Sequence, residues 1–185
     1  MNDTKNPWKV LSEKPVYDNP WIKLTEYDVI NPRGGKGIYG KVHFKNVAIG
    51  VIALDEVMNT YLVGQYRFAL DEYSWEIPEG GCPEGESHLE AAKRELMEET
   101  GLIADDWTKL MTSHLSNSIS DEYCIIFLAR NLHQGEAAPD ETEELKVKKI
   151  PFTEALALVE NGAITDAISI MAFQKLQLMK LAGKL

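Results

Sequence analysis

Apolar residues in this chain fall into runs and alternations that divide it into short elements. Residues 47–54 (VAIGVIAL) form a near-continuous, β-branched apolar run. A run so short predicts a strand buried on both faces. Residues 21–30 alternate instead, through Trp21, Leu24, Tyr27 and Val29. That pattern predicts a half-buried strand, and Asn31-Pro32-Arg33-Gly34-Gly35 supplies the turn after it. Residues 38–45 then return as a hairpin, and residues 8–15 form one more strand. The chain up to residue 45 therefore reads as a β-rich arm, and 46–185 as the main domain.

Further strands are predicted at residues 61–68, 75–77, 106–112, 122–129 and 145–150. EGGCPEGE has the composition of a turn, and the polar, acidic stretch 133–144 (HQGEAAPDETEE) that of a loop. Three helices are expected. The first covers residues 87–100, with Ser87 and Glu90 placed as a capping box and Gly101 as its left-handed stop. The second covers 152–161 and ends at Gly162, and the third is an amphipathic helix over 166–181. Strands interleaved with helices around a buried strand imply an α/β fold, a mixed sheet with helices on both faces.

The 185 residues suit a compact domain with length left for a small extra sheet. A formal net charge of −10 argues against a polymeric nucleic acid partner. It also means that an anionic substrate needs a positive screen, for which bound metal ions are the natural choice. Cys82 and Cys124 are far apart and in no metal-type spacing. The opening MNDTKNPWKV is polar, and no run approaches the ~20 apolar residues of a membrane span. The expected location is the cytoplasm, with no membrane partner.

The chemistry concentrates in residues 80–102, GGCPEGESHLEAAKRELMEETGL. At about 100° per residue, Glu95, Glu98 and Glu99 lie within about 100° of arc on one helix face. Leu89, Ala92 and Leu96 form the neighbouring apolar stripe, so the carboxylates sit at the margin of the buried face. Like charges this close repel on a helix, which a purely structural face would avoid. A site for hard divalent cations needs them, because Mg²⁺ takes carboxylate oxygens and keeps water for chemistry. Arg94, one turn from Glu98, can orient a carboxylate.

The same residues resemble the signature of the Nudix hydrolases, G-x5-E-x7-R-E-U-x-E-E-x-G-U, where U is a bulky aliphatic. Gly80, Glu86, Arg94, Glu95, Leu96, Glu98, Glu99, Gly101 and Leu102 fill every fixed position. A chance match is on the order of 10⁻¹⁰ per window from average residue usage. The resemblance implies a Nudix α/β/α sandwich with a small N-terminal antiparallel segment, and Mg²⁺ (or Mn²⁺) as cofactor. It implies that Glu95 and Glu99 are the main metal ligands, that Glu98 is a ligand or the water-activating base, and that Arg94 holds a glutamate in place. Glu86 would be supporting or structural, and the backbone carbonyl near Glu79 would complete the metal shell.

The flanks resemble the branch that hydrolyses ADP-ribose and other nucleoside diphosphate sugars. GQYRFA followed by WEIPEGG is similar to that branch's upstream block, with Arg67 as phosphate contact and Glu76 beside the substrate. PDETEEL is similar to the loop that carries a catalytic glutamate, best matched by Glu143, with Glu141 and Glu144 as rivals. ADP-ribose enzymes often carry a proline about fifteen residues after this signature, the Nudix box, and here there is none between Leu102 and Ala138. The resemblance therefore reaches a nucleoside diphosphate sugar, not ADP-ribose alone.

Dinucleoside polyphosphates, dinucleotide coenzymes and oxidised nucleoside triphosphates stay open as substrates, as does a non-catalytic sensor. Trp21 is a candidate to stack on a nucleobase or to fill a core or interface. Arg67 reads as a phosphate contact or a surface strand arginine. Ser120 and His114 are expected near the pocket, while Asp121 and Glu122 point into the site or cap a strand. The N-terminal arm and last two helices imply a homodimer by resemblance.

Overall fold

The computed structural model describes residues 5–135 and 145–185. Among these, the chain divides into two compact units. One is the segment up to Asn46 together with His114–Glu122, and the other is Val47–Ser113 with the chain from Tyr123 onward.

The first unit is an antiparallel sheet of β1 (Lys9–Asp18), β2 (Ile22–Ile30) and β3 (Lys36–Phe44), in the order β1-β2-β3. The expected turn joins β2 to β3. Asn31 Oδ1 accepts from the N–H groups of Arg33 (2.9 Å) and Gly35 (3.1 Å), and Gly34 takes φ +87°. β1 pairs with β2 through two register shifts, between Val10 and Ser12 and between Pro15 and Tyr17. His114–Glu122 joins this sheet at β3, where Val42 N–H donates to Ile119 O at 2.9 Å. Asp121 caps the end of β3, accepting from Phe44 N–H at 3.0 Å and ion-pairing with Lys41 at 2.8 Å.

The second unit is built around β4 (Val47–Ala53), which is buried on both faces as its composition predicts. It runs parallel to β9 (Tyr123–Gln134) and antiparallel to β7 (Glu79–Cys82), and β8 (Leu102–His114) completes the order β7-β4-β9-β8. Period-two alternation sends Ile49, Val51 and Ala53 to one face, with Ile125 and Phe127 of β9 and with Ala91, Ala92 and Leu96 of helix α1 (His88–Thr100). Gly50 serves the opposite face. A Cβ there would lie 2.5 Å from Ile168 of helix α3 (Ala167–Leu181), so glycine admits that helix. Helices thus cover both faces of a mixed sheet, an α/β/α sandwich.

A second antiparallel sheet, β10-β5-β6, consists of β10 (Lys146–Pro151), β5 (Asn59–Arg67) and β6 (Glu72–Glu76). Helix α2 (Phe152–Glu160) follows β10. Lys146 and Lys148 on the edge strand lie over the rings of Tyr73 and Trp75. Charged edge residues of this kind discourage pairing with a further strand. Both cysteines are buried and free. Among the described residues, no helix is long and apolar enough to cross a membrane.

Several expectations are corrected. Glu79–Cys82 is a strand, not part of a turn; its glycines hide a pairing with β4 that only tertiary context creates. The turn is confined to the residues between Cys82 and α1, where Gly85 takes φ +92°. Strand β8 begins directly after Gly101, and β9 runs on to Gln134. On α1, Leu89 is 37% exposed, and the buried stripe is Ala91, Ala92, Glu95, Leu96, Glu99 and Thr100. Glu95 and Glu99 therefore lie within the buried face, not at its margin. Ser87 Oγ accepts from Glu90 N–H, but the Glu90 carboxylate lies on Lys93 Nζ at 2.8 Å instead of reaching back to Ser87.

Candidate active site

The site forms where α1 packs on β7. Ile49 of β4 lies opposite Gly80, and Gly50 opposite Glu79. Because Gly80 has no side chain, the Glu95 carboxylate moves in against it; a Cβ on Gly80 would lie 2.2 Å from that carboxylate. One residue earlier, Glu79 N–H donates to Glu99 Oε2 at 3.0 Å. Glu95 and Glu99 are 8% and 4% exposed, so two carboxylates one helical turn apart are held in the interface between helix and strand.

Arg94 organises the rest. Its Nε and Nη2 donate to the two oxygens of Glu86, and Nη2 also to Gly81 O at 2.8 Å. Its Nη1 donates to Glu95 Oε1 at 2.7 Å and Glu98 Oε2 at 3.0 Å. These five bonds use the five donors of a guanidinium. Arg94 thus ties together three glutamates of the signature. The hydrogen bond from Arg94 holds Glu86 below the usual carboxylate range, and the Glu86 bond is the largest influence raising the pKa of Arg94.

A second group adjoins it through Glu79. Arg67, the last residue of β5, donates from Nε to both oxygens of the buried Glu76 and from Nη2 to Glu76 Oε2 and Glu79 Oε1. Asp166, the N-cap of α3, joins them: carboxylate oxygens of Glu76, Glu79 and Asp166 lie within 4.8 Å of one another. Burial, reinforced by Asp166 and Glu76, pushes the Glu79 carboxyl well above its usual range despite Arg67. Glu79 Oε2 is buried without a hydrogen-bond partner. These residues line a cleft of about 550 Å³ with Phe68, Ser74 and Thr165.

The structure therefore brings together Glu76, Glu79, Arg67, Arg94, Glu95, Glu98 and Glu99. Trp21 (66% exposed) and Ser120, whose Oγ donates to Ser116 O, belong to the first unit. Glu141, Glu143 and Glu144 lie outside the described residues. Asp166 is not legible as a site residue in the sequence. Its visible signal is that of a helix cap, and its approach to Glu79 arises from packing between distant segments.

All-oxygen donors, buried carboxylates in excess and an unpartnered Glu79 Oε2 fit a hard divalent cation. Residues 44–172 match the NUDIX domain family. The chain belongs to that family. It is a Nudix pyrophosphohydrolase, and residues 8–42 match the nucleoside diphosphate sugar hydrolase N-terminal domain. An ADP-ribose pyrophosphatase of Bacillus subtilis (strain 168) is 32% identical, over 92% of each chain. A GDP-mannose pyrophosphatase of Yersinia enterocolitica is 35% identical, over 85% of this chain and 89% of the relative. A solved structure titled as an ADP compounds hydrolase superposes with a TM-score of 0.85 at 23% identity, over 96% of this chain and 97% of that one, and shows the shared fold.

Proposed function

We propose that this Nudix enzyme hydrolyses the pyrophosphate linkage of a nucleoside diphosphate sugar of the ADP-ribose or GDP-mannose type. The products are a nucleoside monophosphate and a sugar phosphate. The observation that carries this reading is the burial of Glu95 and Glu99 against Gly80 and Glu79, a set of hard oxygen donors held between helix and strand. The match of residues 8–42 to the sugar-hydrolase N-terminal domain supports the substrate class.

In this reading Glu95, Glu99 and the backbone carbonyl near Glu79 would hold Mg²⁺ or Mn²⁺, with Glu98 as a further ligand or the base. Such an ion would supply charge neutralisation for the phosphoanhydride and a lowered pKa for a bound water. Arg67 binds a phosphoryl oxygen through Nη1, since Nε and Nη2 are already committed to Glu76 and Glu79. Glu76 is buried beneath it, so its part is to hold Arg67. Arg94 fixes Oε2 of Glu98, and the carboxylate takes the proton of the attacking water unless Glu143 does so. Trp21 is the candidate to stack on a nucleobase, and Ser120 is a candidate substrate contact. The arm of residues 1–45 serves a homodimer, and the enzyme works in the cytoplasm.

The test is a panel of ADP-ribose, GDP-mannose, UDP-glucose, dinucleotides and nucleoside triphosphates with Mg²⁺. Release of a mononucleotide from one of the sugar nucleotides at the highest kcat/KM supports the reading. Inorganic pyrophosphate released preferentially from triphosphates would overturn the substrate assignment.

A further inference from the structure

Ile77 and Pro78 are the two-residue link between β6, which ends at Glu76, and β7, which begins at Glu79. Arg67 is held at one end of this link, and Glu95 and Glu99 meet the chain at the other. A shift of the link moves both halves of the site. Pro78 has no N–H, so the link carries one backbone donor, that of Ile77. It donates to Ser169 Oγ at 2.8 Å, across 92 residues of sequence. Ile77 and Ser169 are both fully buried, so water cannot replace this bond. Pro78 O accepts from Val51 N–H at 2.8 Å, which leaves Ser169 as the link's tie to α3.

Ser169 is itself held. Its N–H donates to Asp166 Oδ2 at 2.6 Å, the capping bond of α3. Gly50 allows α3 to approach this closely: a Cβ there would meet Ile168 at 2.5 Å and Ile77 at 3.2 Å. The first turn of α3 is thus built against the link, with the Ser169 hydroxyl bonded to it and Ile168 and Ile77 both beside Gly50.

We infer that Ser169 is a positioning residue of the active site: through the Ile77 N–H it sets the link on which Glu79 and Glu76 depend. This rests on the proposed metal site, because its consequence is read in metal affinity as well as turnover. Supporting groups of this kind change metal affinity or activity by about 10–100-fold when removed.

The test measures Mn²⁺ affinity by titration calorimetry, kcat and KM on the sugar nucleotide the wild type prefers, and the thermal midpoint. The proteins are wild type, Ser169→Ala, Ser169→Thr and Leu176→Ala. Leu176 is fully buried on the same helix and does not bond to the link, so its truncation reports packing alone. Ser169→Ala is expected to weaken Mn²⁺ binding and lower kcat by about tenfold or more. Ser169→Thr, which keeps the hydroxyl, restores both. Leu176→Ala lowers the thermal midpoint and leaves Mn²⁺ affinity unchanged. If Ser169→Ala does not fold, Ser169→Cys, with similar volume and a poor acceptor, must show the weakened affinity. Wild-type Mn²⁺ affinity in a folded Ser169→Ala or Ser169→Cys overturns the inference and leaves the metal site standing. A wild type that binds no Mn²⁺ overturns the metal site first, and this inference with it.

Discussion

Gly80 and Glu95 lie so close that the carboxylate fills the space a side chain on residue 80 would need, 2.2 Å from an added Cβ. The glycine of the box is therefore required by a close approach, not by a special backbone angle. Gly80→Ala must push Glu95 away or open the α1–β7 contact. Displacing a reacting group by about 1 Å costs about 10²-fold in rate. The expected result is a folded protein with kcat lowered by about that factor, measured by mononucleotide release beside a circular dichroism spectrum.

Arg94→Lys tests the positioning role of the guanidinium. Five bonds run from Arg94 to Glu86, Glu95, Glu98 and Gly81. An ammonium has three donors and no fork, so it cannot replace them. The expected outcome is a loss of about 10–100-fold in kcat and in metal affinity. Wild-type metal affinity in this variant would show that Arg94 does not place the ligands.

Arg67→Ala and Glu76→Gln separate binding from support. Arg67→Ala is expected to raise KM about tenfold or more, as loss of a charged hydrogen bond to phosphate of about 1.5–3 kcal/mol implies. Glu76 is 3% exposed and grips Arg67 through both oxygens. Glu76→Gln should raise KM in the same direction and also lower stability, by about 2 kcal/mol, seen in urea unfolding. Unchanged KM in both variants would remove the phosphate role of Arg67.

Much of this arrangement is legible in the sequence, and the limit has a physical cause. The buried strand β4 and the helix α1 announce themselves through local periodicity, and the box carboxylates through their spacing. Strand β7 does not, because Glu79–Cys82 is extended only through its partner β4. Asp166 and Ser169 read as the start of a helix, which they are. Their meeting with Glu79 and Ile77 depends on α3 closing on Gly50, a relation between segments more than a hundred residues apart that no local pattern encodes. Leu89 misplaces the stripe on α1, because periodicity gives a face without saying where along the helix the packing begins.

Asp55 gives a pH prediction. Burial alone would raise its pKa, but hydrogen bonds from Lys149, Asn59 N–H and the Asn59 side chain hold it at about 2. The folded value lies below the unfolded one, so the contribution to stability is present above about pH 4 and is lost as pH falls toward 2. Asp55→Asn is expected to cost about 1–2 kcal/mol at pH 7 through the weakened hydrogen bonds. The gap to wild type should narrow between pH 4 and 2 in denaturant titrations. A gap constant across that range would contradict the assignment.

The most direct test of the central claim is the initial rate of AMP release from ADP-ribose and GMP release from GDP-mannose with Mg²⁺, for wild type and Glu99→Gln. Glu99 is buried, accepts the Glu79 N–H and is a proposed metal ligand. Removing one ligand charge is expected to lower the rate by about 10²-fold or more, with chelation of Mg²⁺ abolishing it in wild type. Equal rates in the two proteins, or full activity in chelator, would contradict the account.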